Sequence, residues 1–412
     1  MGASGVAVVM AAIFLWGLVS ARLERAFLTA PIVFVAVGGM LAALAREFDL
    51  DPHRFRLLTE ATLVWVLFSD ASKVRFRDFR SDLGFYARLL GVGLPLSLGA
   101  GWLLASLLVP GLTPWLALLA AAALVPTDAA LGLVVMTNPA VPPRVRRLIN
   151  VESGLNDGLV TPVVLVAIAG AAQTGQESVG KVVLELVMGM VIGAGSGLAG
   201  GWLFGRAGRS GWVSEDFAGP AVLALAIGVY AASIAAHASG FVAAFIAGLT
   251  FGNAAGRSDI RDLRYVSYTA ELASLLVWML FGATVLPVLA HVFDWRIALY
   301  ALLSLTVVRM APVALSLLGT HLDRATVLFV GWFGPRGLAS LIFALLALDA
   351  LGSGADTVVA VIAVTVLASV VAHGASSGPL AARYGAAIRA RQAGSDRPLP
   401  EFRSPGQPLS ST

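Results

Sequence analysis

The sequence lacks cysteine altogether and carries few charged residues for its length. Without cysteine, the chain forms no disulfide bond, no thiolate metal site and no cysteine nucleophile. Charged residues make up 13% of the 412 residues, whereas soluble globular proteins carry about 25%. Hydrophobic residues make up 58%, more than a surface in water tolerates. The composition therefore predicts an all-α protein that spans the lipid bilayer.

Apolar runs recur along the chain at the length that a helix needs to cross a bilayer, about 20 residues. The first run is interpreted as a span rather than a cleaved signal, because no basic residues precede it. Only the short break at residues 237–240 separates the eighth span from the ninth. The thirteen predicted spans are residues 5–21, 27–45, 57–71, 84–109, 114–137, 148–172, 182–204, 217–236, 240–254, 265–290, 297–318, 325–349 and 357–382.

Lysine and arginine are distributed unevenly between the loops. With the N-terminus outside, 20 of the 28 basic residues fall in cytoplasmic segments, five fall outside and three lie within spans. Cytoplasmic loops are normally enriched in Lys and Arg. This predicts a protein of the cell (inner) membrane with a cytoplasmic C-terminus, and it explains the basic charge without nucleic acid. Residues 1–382 form the predicted transmembrane domain, and the polar segment 383–412 a short, disordered cytoplasmic tail.

Two spans contain a proline next to polar residues. The fifth has Pro126, Thr127 and Asp128, and the twelfth has Pro335 and Arg336. Proline interrupts helical hydrogen bonding, and irregular backbone at membrane depth must line protein or a polar cavity. If spans 1–6 and 8–13 are inverted six-helix repeats, each interruption falls in the fifth helix of its repeat, which points to a transporter site. Ordinary proline kinks are the alternative, but the adjacent charges favour two broken helices that cross.

Four ionisable residues inside the spans need partners, because a charge at mid-membrane costs at least ~2.5–3.5 kcal/mol. The sixth span holds Glu152 and Asp157, and the eleventh and twelfth hold Arg309 and Arg336. Arginine stays charged and needs acceptors. We predict that Glu152 and Arg309 form a structural ion pair. Arg336 is predicted to lie where the broken helices cross and to offset their partial charges.

Asp157 is then left without a permanent cation, so it could exchange a proton for a metal ion. A hard cation such as Na⁺ prefers several oxygen ligands. Ser153 lies one helical turn before Asp157, and Thr127 lies at the fifth-span break. The predicted ligands are the Asp157 carboxylate and the oxygens of Ser153 and Thr127, with Asp128 shaping the site. The alternative is that Asp157 is a hydrogen-bonded packing group.

Two further ionisable residues allow more than one interpretation. Asp70 ends the third span, where it is either an additional ligand or an interfacial residue beside Lys73. His373 lies inside the last span, and a hydrogen-bonded packing role is favoured over pH sensing.

Three motifs together resemble one family. They are TDA at 127–129, ESGLNDG at 152–158 and GPRGLASL at 334–341. These resemble monovalent cation/proton antiporters of the Asn-Asp type, the group of bacterial NhaP and eukaryotic Na⁺/H⁺ exchangers, over nearly the whole membrane part. The resemblance implies a thirteen-helix homodimer with inverted repeats and elevator-like alternating access. It also implies residue roles: Asp157 as the shared carrier, Ser153 and Thr127 as cation ligands, Asn156 as the helix-tethering partner, and Glu152 with Arg309 as the ion pair.

The predicted function is exchange of Na⁺, or of Li⁺ or K⁺, for H⁺ by competition at Asp157, with no enzymatic activity and no cofactor. Asn156 supplies no second titrating carboxylate, so exchange is expected to be electroneutral, one for one. A cation channel would need a continuous pore with rings from several subunits. An intramembrane aspartyl protease would need two facing aspartates, and its GxGD motif is matched only loosely by GLND at 154–157. The acidic site disfavours a symporter for organic anions.

Overall fold

The computed structural model of the protein describes residues 3–25, 28–44, 52–76, 82–172, 179–256, 260–320 and 322–393, and these ranges contain helices and no strand. A π-helical turn at Leu89–Gly93 lies within the helix that spans residues 83–108. The helices are α1 (Ala3–Arg25), α2 (Ala30–Leu44), α3 (Pro52–Ser72), α4 (Leu83–Leu108), α5 (Pro114–Leu124), α6 (Leu133–Thr137), α7 (Pro143–Ala171), α8 (Val179–Arg209), α9 (Glu215–Ala235), α10 (Gly240–Ala254), α11 (Ile260–Val292), α12 (Trp295–Leu305), α13 (Val307–Ser316), α14 (Arg324–Trp332), α15 (Leu338–Leu351) and α16 (Asp356–Ala393).

Each predicted span coincides with one of these helices or with two consecutive helices. Within the described ranges, eight helical segments are long and apolar enough to cross a membrane, and α2, α5 and α10 are shorter apolar helices. The predicted all-helical membrane architecture is therefore confirmed, whereas the count of thirteen spans and the inverted repeats stay predictions. Helix α16 continues past residue 382 to Ala393, and residues 394–412 of the predicted tail lie outside the described part of the chain.

The outermost helices turn large apolar side chains outward. Phe14 on α1 is 67% exposed, Leu107 on α4 is 78% exposed and Val191 on α8 is 67% exposed. Water would disfavour so much contiguous apolar surface, whereas lipid chains accept it. The helices that are mostly buried, α7, α10 and α15, lie at the centre of the bundle.

Helix α8 packs unusually closely against α10 through a face of glycines. A methyl group on any of these glycines would come within about 3 Å of residues 239–255 or overlap them. Small residues at four-residue spacing are typical of close helix contacts in membranes. The glycines are Gly189, Gly193, Gly197, Gly201 and Gly205. α10 in turn places Phe245 against Gly158 of α7, next to Asp157, so this packing supports the polar stretch of α7.

Three interruptions divide helices that would otherwise be continuous. The first, at residues 125–132 between α5 and α6, and the second, at residues 333–337 between α14 and α15, coincide with the predicted breaks. The third, at Thr306 between α12 and α13, was not predicted. It lies one helical turn before Arg309 and is not marked by a proline at that position.

Candidate ion-binding site

The two predicted breaks meet, and Asp128 joins them. The Asp128 backbone N–H donates to the carbonyl of Pro335 over 2.8 Å. Its carboxylate accepts from the backbone N–H of Leu338 at the start of α15 over 2.9 Å, and from the N–H of Ala130 on its own side over 2.7 Å. A carboxylate at a helix N-terminus satisfies free N–H groups and offsets the positive end of the helix. Asp128 therefore links the two breaks through hydrogen bonds.

Arg336 makes the reciprocal contact. Its side chain is buried, with 1% of the residue exposed. Its Nη1 atom donates to the carbonyls of Val125, over 2.6 Å, and Pro126, over 3.1 Å, at the end of α5. These carbonyls have lost their helical partners and carry the negative end of the helix dipole. The guanidinium thus stabilises the backbone immediately before Thr127.

Two glycines allow this crossing to be so close. A methyl group on Gly337 would overlap the Asp128 carboxylate, and one on Gly334 would lie 2.6 Å from Nε of Arg309 and 3.0 Å from the Thr127 side chain. The glycines of the GPRG motif at 334–337 are therefore required by packing around the site.

Glu152 on α7 and Arg309 on α13 form a two-pronged ion pair in the interior. Nη1 and Nη2 of Arg309 donate to the two carboxylate oxygens of Glu152 over 2.5 Å and 3.0 Å. Their side chains are only 5% and 4% exposed. A buried pair is stable only when the geometry repays the loss of hydration, and two parallel hydrogen bonds give the favourable arrangement. Each charge is therefore neutralised by the other.

One turn along α7, hydroxyl and amide groups gather around the first break. Thr127 Oγ1 lies 2.9 Å from Ser153 Oγ and accepts a hydrogen bond from Nδ2 of Asn156 over 2.7 Å. All three residues are at most 2% exposed. Asn156 therefore tethers α7 to the break, and its Oδ1 atom is left without a partner in the described structure.

Asp157 follows Asn156 on α7 and differs from every other acidic residue of the site. It is 7% exposed, and its Oδ1 atom has no hydrogen-bond partner in the described part of the chain. The structure pairs neither Arg309 nor Arg336 with it, since those side chains are directed to Glu152 and to backbone carbonyls. Asp157 is thus a buried carboxyl to which the described residues offer no fixed cation.

Asp70 lies at the edge of this region. Its backbone carbonyl faces Gly154 of α7, while its carboxylate pairs with Lys73 over 2.8 Å and is 25% exposed. It takes no part in the hydrogen bonds among Thr127, Ser153 and Asn156. The structure thus brings Asp70 near the site but engages its carboxylate with Lys73.

Sequence reasoning assigned no contact to the side of the second break that faces α16. Ser369 Oγ accepts from the backbone N–H of Arg336 over 2.7 Å, and His373 Nε2 lies 2.9 Å from the carbonyl of Trp332. A weak signal was available, because Ser369, His373 and Ser377 recur at four-residue spacing on one face of the last span.

The oxygen atoms of this region are of the kind that a hard monovalent cation accepts as ligands. They are the Asp157 carboxylate, the Asn156 carbonyl and the hydroxyls of Thr127 and Ser153. The described residues contain no group of three or more His, Cys, Asp or Glu side chains that could hold a metal ion, the arrangement that a tightly held transition metal prefers.

Comparison with known proteins defines the class. Residues 8–383 match the family described as sodium/hydrogen exchanger, transmembrane. Because the match covers most of the chain, the protein belongs to this family. Its members are transporters, and the protein is accordingly a multi-pass membrane protein.

Individual relatives are similar over most of this chain. The K⁺/H⁺ antiporter NhaP of Alkalimonas amylolytica is 27% identical over 352 residues, which cover 82% of this chain and 59% of that protein. The K⁺/H⁺ antiporter NhaP2 of Shewanella sp. (strain ANA-3) is 27% identical over 360 residues, which cover 84% and 61%. The chain thus spans about 60% of the length of these curated relatives.

A solved structure shares the fold. The sodium/proton antiporter MjNhaP1 from Methanocaldococcus jannaschii, determined at pH 8, superimposes with a TM-score of 0.73 at 21% identity. The match covers 92% of this chain and 98% of that one.

Proposed function

We propose that the protein exchanges a monovalent cation for a proton across the membrane, with both ions competing for Asp157. The observation that carries the proposal is the buried Asp157 Oδ1 atom, which has no partner in the described structure and belongs to the residue next to Asn156 and one helical turn after Ser153 on α7. The proposed exchange uses only the transported ions and needs no cofactor.

Competition couples the two ions without further machinery. A bare carboxylate is costly to move through a low-dielectric barrier, so the site crosses only when it carries a proton or a cation. Alternating exposure of the loaded site to the two sides then exchanges one ion for the other. Under an inward proton gradient the protein would export the cation.

The proposed stoichiometry is one cation for one proton. Glu152 is neutralised by Arg309, and Asn156 carries no charge. Asp157 is then the one carboxylate at the centre of the site that is free to alternate between a proton and a cation, which makes the cycle electroneutral.

The identity of the cation is proposed from the class of donor. Na⁺, K⁺ and Li⁺ all accept carboxylate, hydroxyl and carbonyl oxygens. The curated relatives above bear the name of K⁺/H⁺ antiporters and the solved structure that of a sodium/proton antiporter, so Na⁺ and K⁺ are the first substrates to compare.

We further propose thirteen spans arranged as two inverted six-helix repeats, with the N-terminus outside and a cytoplasmic tail. The support is the imbalance of Lys and Arg between alternate loops and the crossing of the two breaks at Asp128 and Arg336. The protein is proposed to act in the cell membrane as a homodimer.

Transport in proteoliposomes tests this function. An imposed pH difference, followed by addition of Na⁺, K⁺ or Li⁺, should produce proton flux in the wild type that persists when an ionophore clamps the membrane voltage. Asp157→Asn should reduce this flux about hundredfold or more, as expected when the one carrier group is lost. Asp216→Asn, on the exposed first turn of α9, is the matched control and should transport normally. Undiminished exchange in Asp157→Asn would remove the proposed carrier.

A further inference from the structure

The break between α14 and α15 leaves buried backbone groups that need partners from another helix. Residues 333–337 are non-helical and buried. The carbonyl of Trp332 accepts from the backbone N–H of Gly334 over 2.8 Å, which leaves its second lone pair free, and the backbone N–H of Arg336 lies outside the regular helical hydrogen-bond ladder. Leaving such groups unpaired in the interior is costly.

Helix α16 supplies an acceptor for the Arg336 N–H and a second donor for the Trp332 carbonyl, through two side chains one turn apart. Ser369 Oγ accepts from the Arg336 N–H over 2.7 Å. His373 Nε2 lies 2.9 Å from the Trp332 carbonyl, and His373 Nδ1 lies 3.1 Å from Ser369 Oγ. His373 is 2% exposed, and its ring lies 5.1 Å from that of Trp332, so the imidazole is held in place on two sides.

A neutral ring that carries its hydrogen on Nε2 satisfies the contacts with Trp332 and the Ser369 hydroxyl. A carbonyl can only accept, so Nε2 must carry a hydrogen to bond to Trp332. The Ser369 hydroxyl accepts from Arg336 and has its own hydrogen free to donate to Nδ1. The neutral ring with hydrogen on Nε2 therefore completes an unbroken chain from the Arg336 N–H through Ser369 and His373 to the Trp332 carbonyl.

The doubly protonated ring is the competing form. Nδ1 also lies 2.9 Å from the backbone carbonyl of Ser369, to which a protonated Nδ1 could donate. That form would place a positive charge on a side chain that is 2% exposed and that contacts only a hydroxyl and backbone carbonyls through its ring nitrogens, which is costly. It would also take away the acceptor of the Ser369 hydroxyl, so the neutral form fits the surroundings better.

The bridge reaches the ion site through Arg336. The same residue whose N–H is fixed by Ser369 donates its guanidinium to the carbonyls of Val125 and Pro126, directly before Thr127. The neighbouring Pro335 carbonyl accepts from Asp128. The backbone of the second break thus sets the position of the first.

We propose that His373 is a positioning residue for the ion site. As a neutral hydrogen-bond bridge, it closes the second break and, through Arg336, holds Thr127 where a cation can bind. This inference rests on the proposed function, because the effect at Thr127 is measured by cation affinity. Its structural half, the neutral bridge, can be tested separately.

The kinetic test compares two substitutions in reconstituted protein. His373→Leu removes the bridge and should raise the apparent KM for the cation about tenfold, the effect of losing a buried hydrogen-bond partner, with a smaller change in kcat. His373→Gln keeps an N–H donor for the Trp332 carbonyl and should stay within about twofold of wild type. His291→Leu, at the exposed end of α11, is the matched control and should behave as wild type.

A spectroscopic test does not depend on transport or on the folding of the leucine variant. In protein labelled with ¹⁵N-histidine, the resonances that disappear in His373→Gln should report a protonated Nε2 and an unprotonated Nδ1 at neutral pH. A doubly protonated ring, or hydrogen on Nδ1 alone, would overturn the bridge.

Wild-type kinetics in His373→Leu, or equal impairment in the leucine and glutamine variants, would overturn the positioning role. If the wild type itself exchanges no ions, the proposed function fails and the ¹⁵N spectrum alone decides the bridge.

Discussion

Helix α7 carries two buried carboxylates five positions apart, and their surroundings are opposite. Glu152 accepts two hydrogen bonds from Arg309, whereas Asp157 has an Oδ1 atom without a partner in the described structure. Both residues are less than 10% exposed. Burial alone therefore does not decide whether a carboxylate has a fixed partner. The two carboxylates differ in whether a positively charged side chain is already paired with them.

The comparison predicts that substitutions around the two carboxylates change different properties of the protein. Changes at the Glu152 pair should act mainly on stability, whereas changes around Asp157 should act mainly on ion affinity.

The largest effect should come from Arg309→Met, which leaves Glu152 buried without its cation. Removing one partner of a buried pair typically costs about 3–5 kcal/mol, so thermal unfolding in detergent should shift strongly downward. The double variant Glu152→Gln/Arg309→Met removes both charges and should recover most of the loss. Equal destabilisation in the single and double variants would contradict the account of this pair.

The second effect is on pH dependence. If a proton and a cation compete for Asp157, protons added on the cytoplasmic side should raise the apparent KM for the cation. The rise should approach tenfold per pH unit once the site is mostly protonated, because one proton displaces one cation. kcat at saturating cation should change much less. A KM that is flat across the acidic range would show that the two ions do not share a site.

A smaller effect is expected from Thr127→Val, which removes the hydroxyl that contacts Ser153 and Asn156. Losing one buried hydrogen-bonding group costs about 1–3 kcal/mol. The apparent KM should therefore rise at least about fivefold, the change that corresponds to about 1 kcal/mol. Thr365→Val is the matched control, because this threonine is equally buried but donates only to a carbonyl of its own helix. Similar KM values in the two variants would argue against Thr127 as a ligand.

The smallest effect is expected from Asp70→Asn. Because Asp70 is partly exposed and paired with Lys73, its loss should change the apparent KM by no more than about threefold, in keeping with a pair near the surface. A change of tenfold or more, measured in the same flux assay, would instead assign Asp70 to the site as a ligand.

Much of the fold was predictable because it depends on local composition. Apolar runs locate the helices, and Pro126 and Pro335, each next to polar residues, locate two of the breaks. The break at Thr306 was not predicted, because no proline or glycine marks that position and the interruption arises within an apolar run. Where α16 ends is similarly unmarked, since the helix continues through the small and polar residues after 382.

The site was predictable where one rule left few options. A buried arginine needs an acceptor, and Glu152 and the free carbonyls of a broken helix were the available ones. The bridge from His373 to Trp332 could not be predicted, because it joins residues 41 positions apart and is defined only by tertiary packing. The pairing of Asp70 with Lys73 was one of two alternatives that the sequence left open.

Direct measurement of proton release tests the competition most simply. Purified protein in weakly buffered solution, near the pH at which the site is half-protonated, should release protons into a pH indicator when Na⁺ or K⁺ is added. The release should saturate below one proton per chain, and Asp157→Asn should release none. Cation binding without proton release in the wild type, or equal release in Asp157→Asn, would show that the two ions do not compete for this carboxylate.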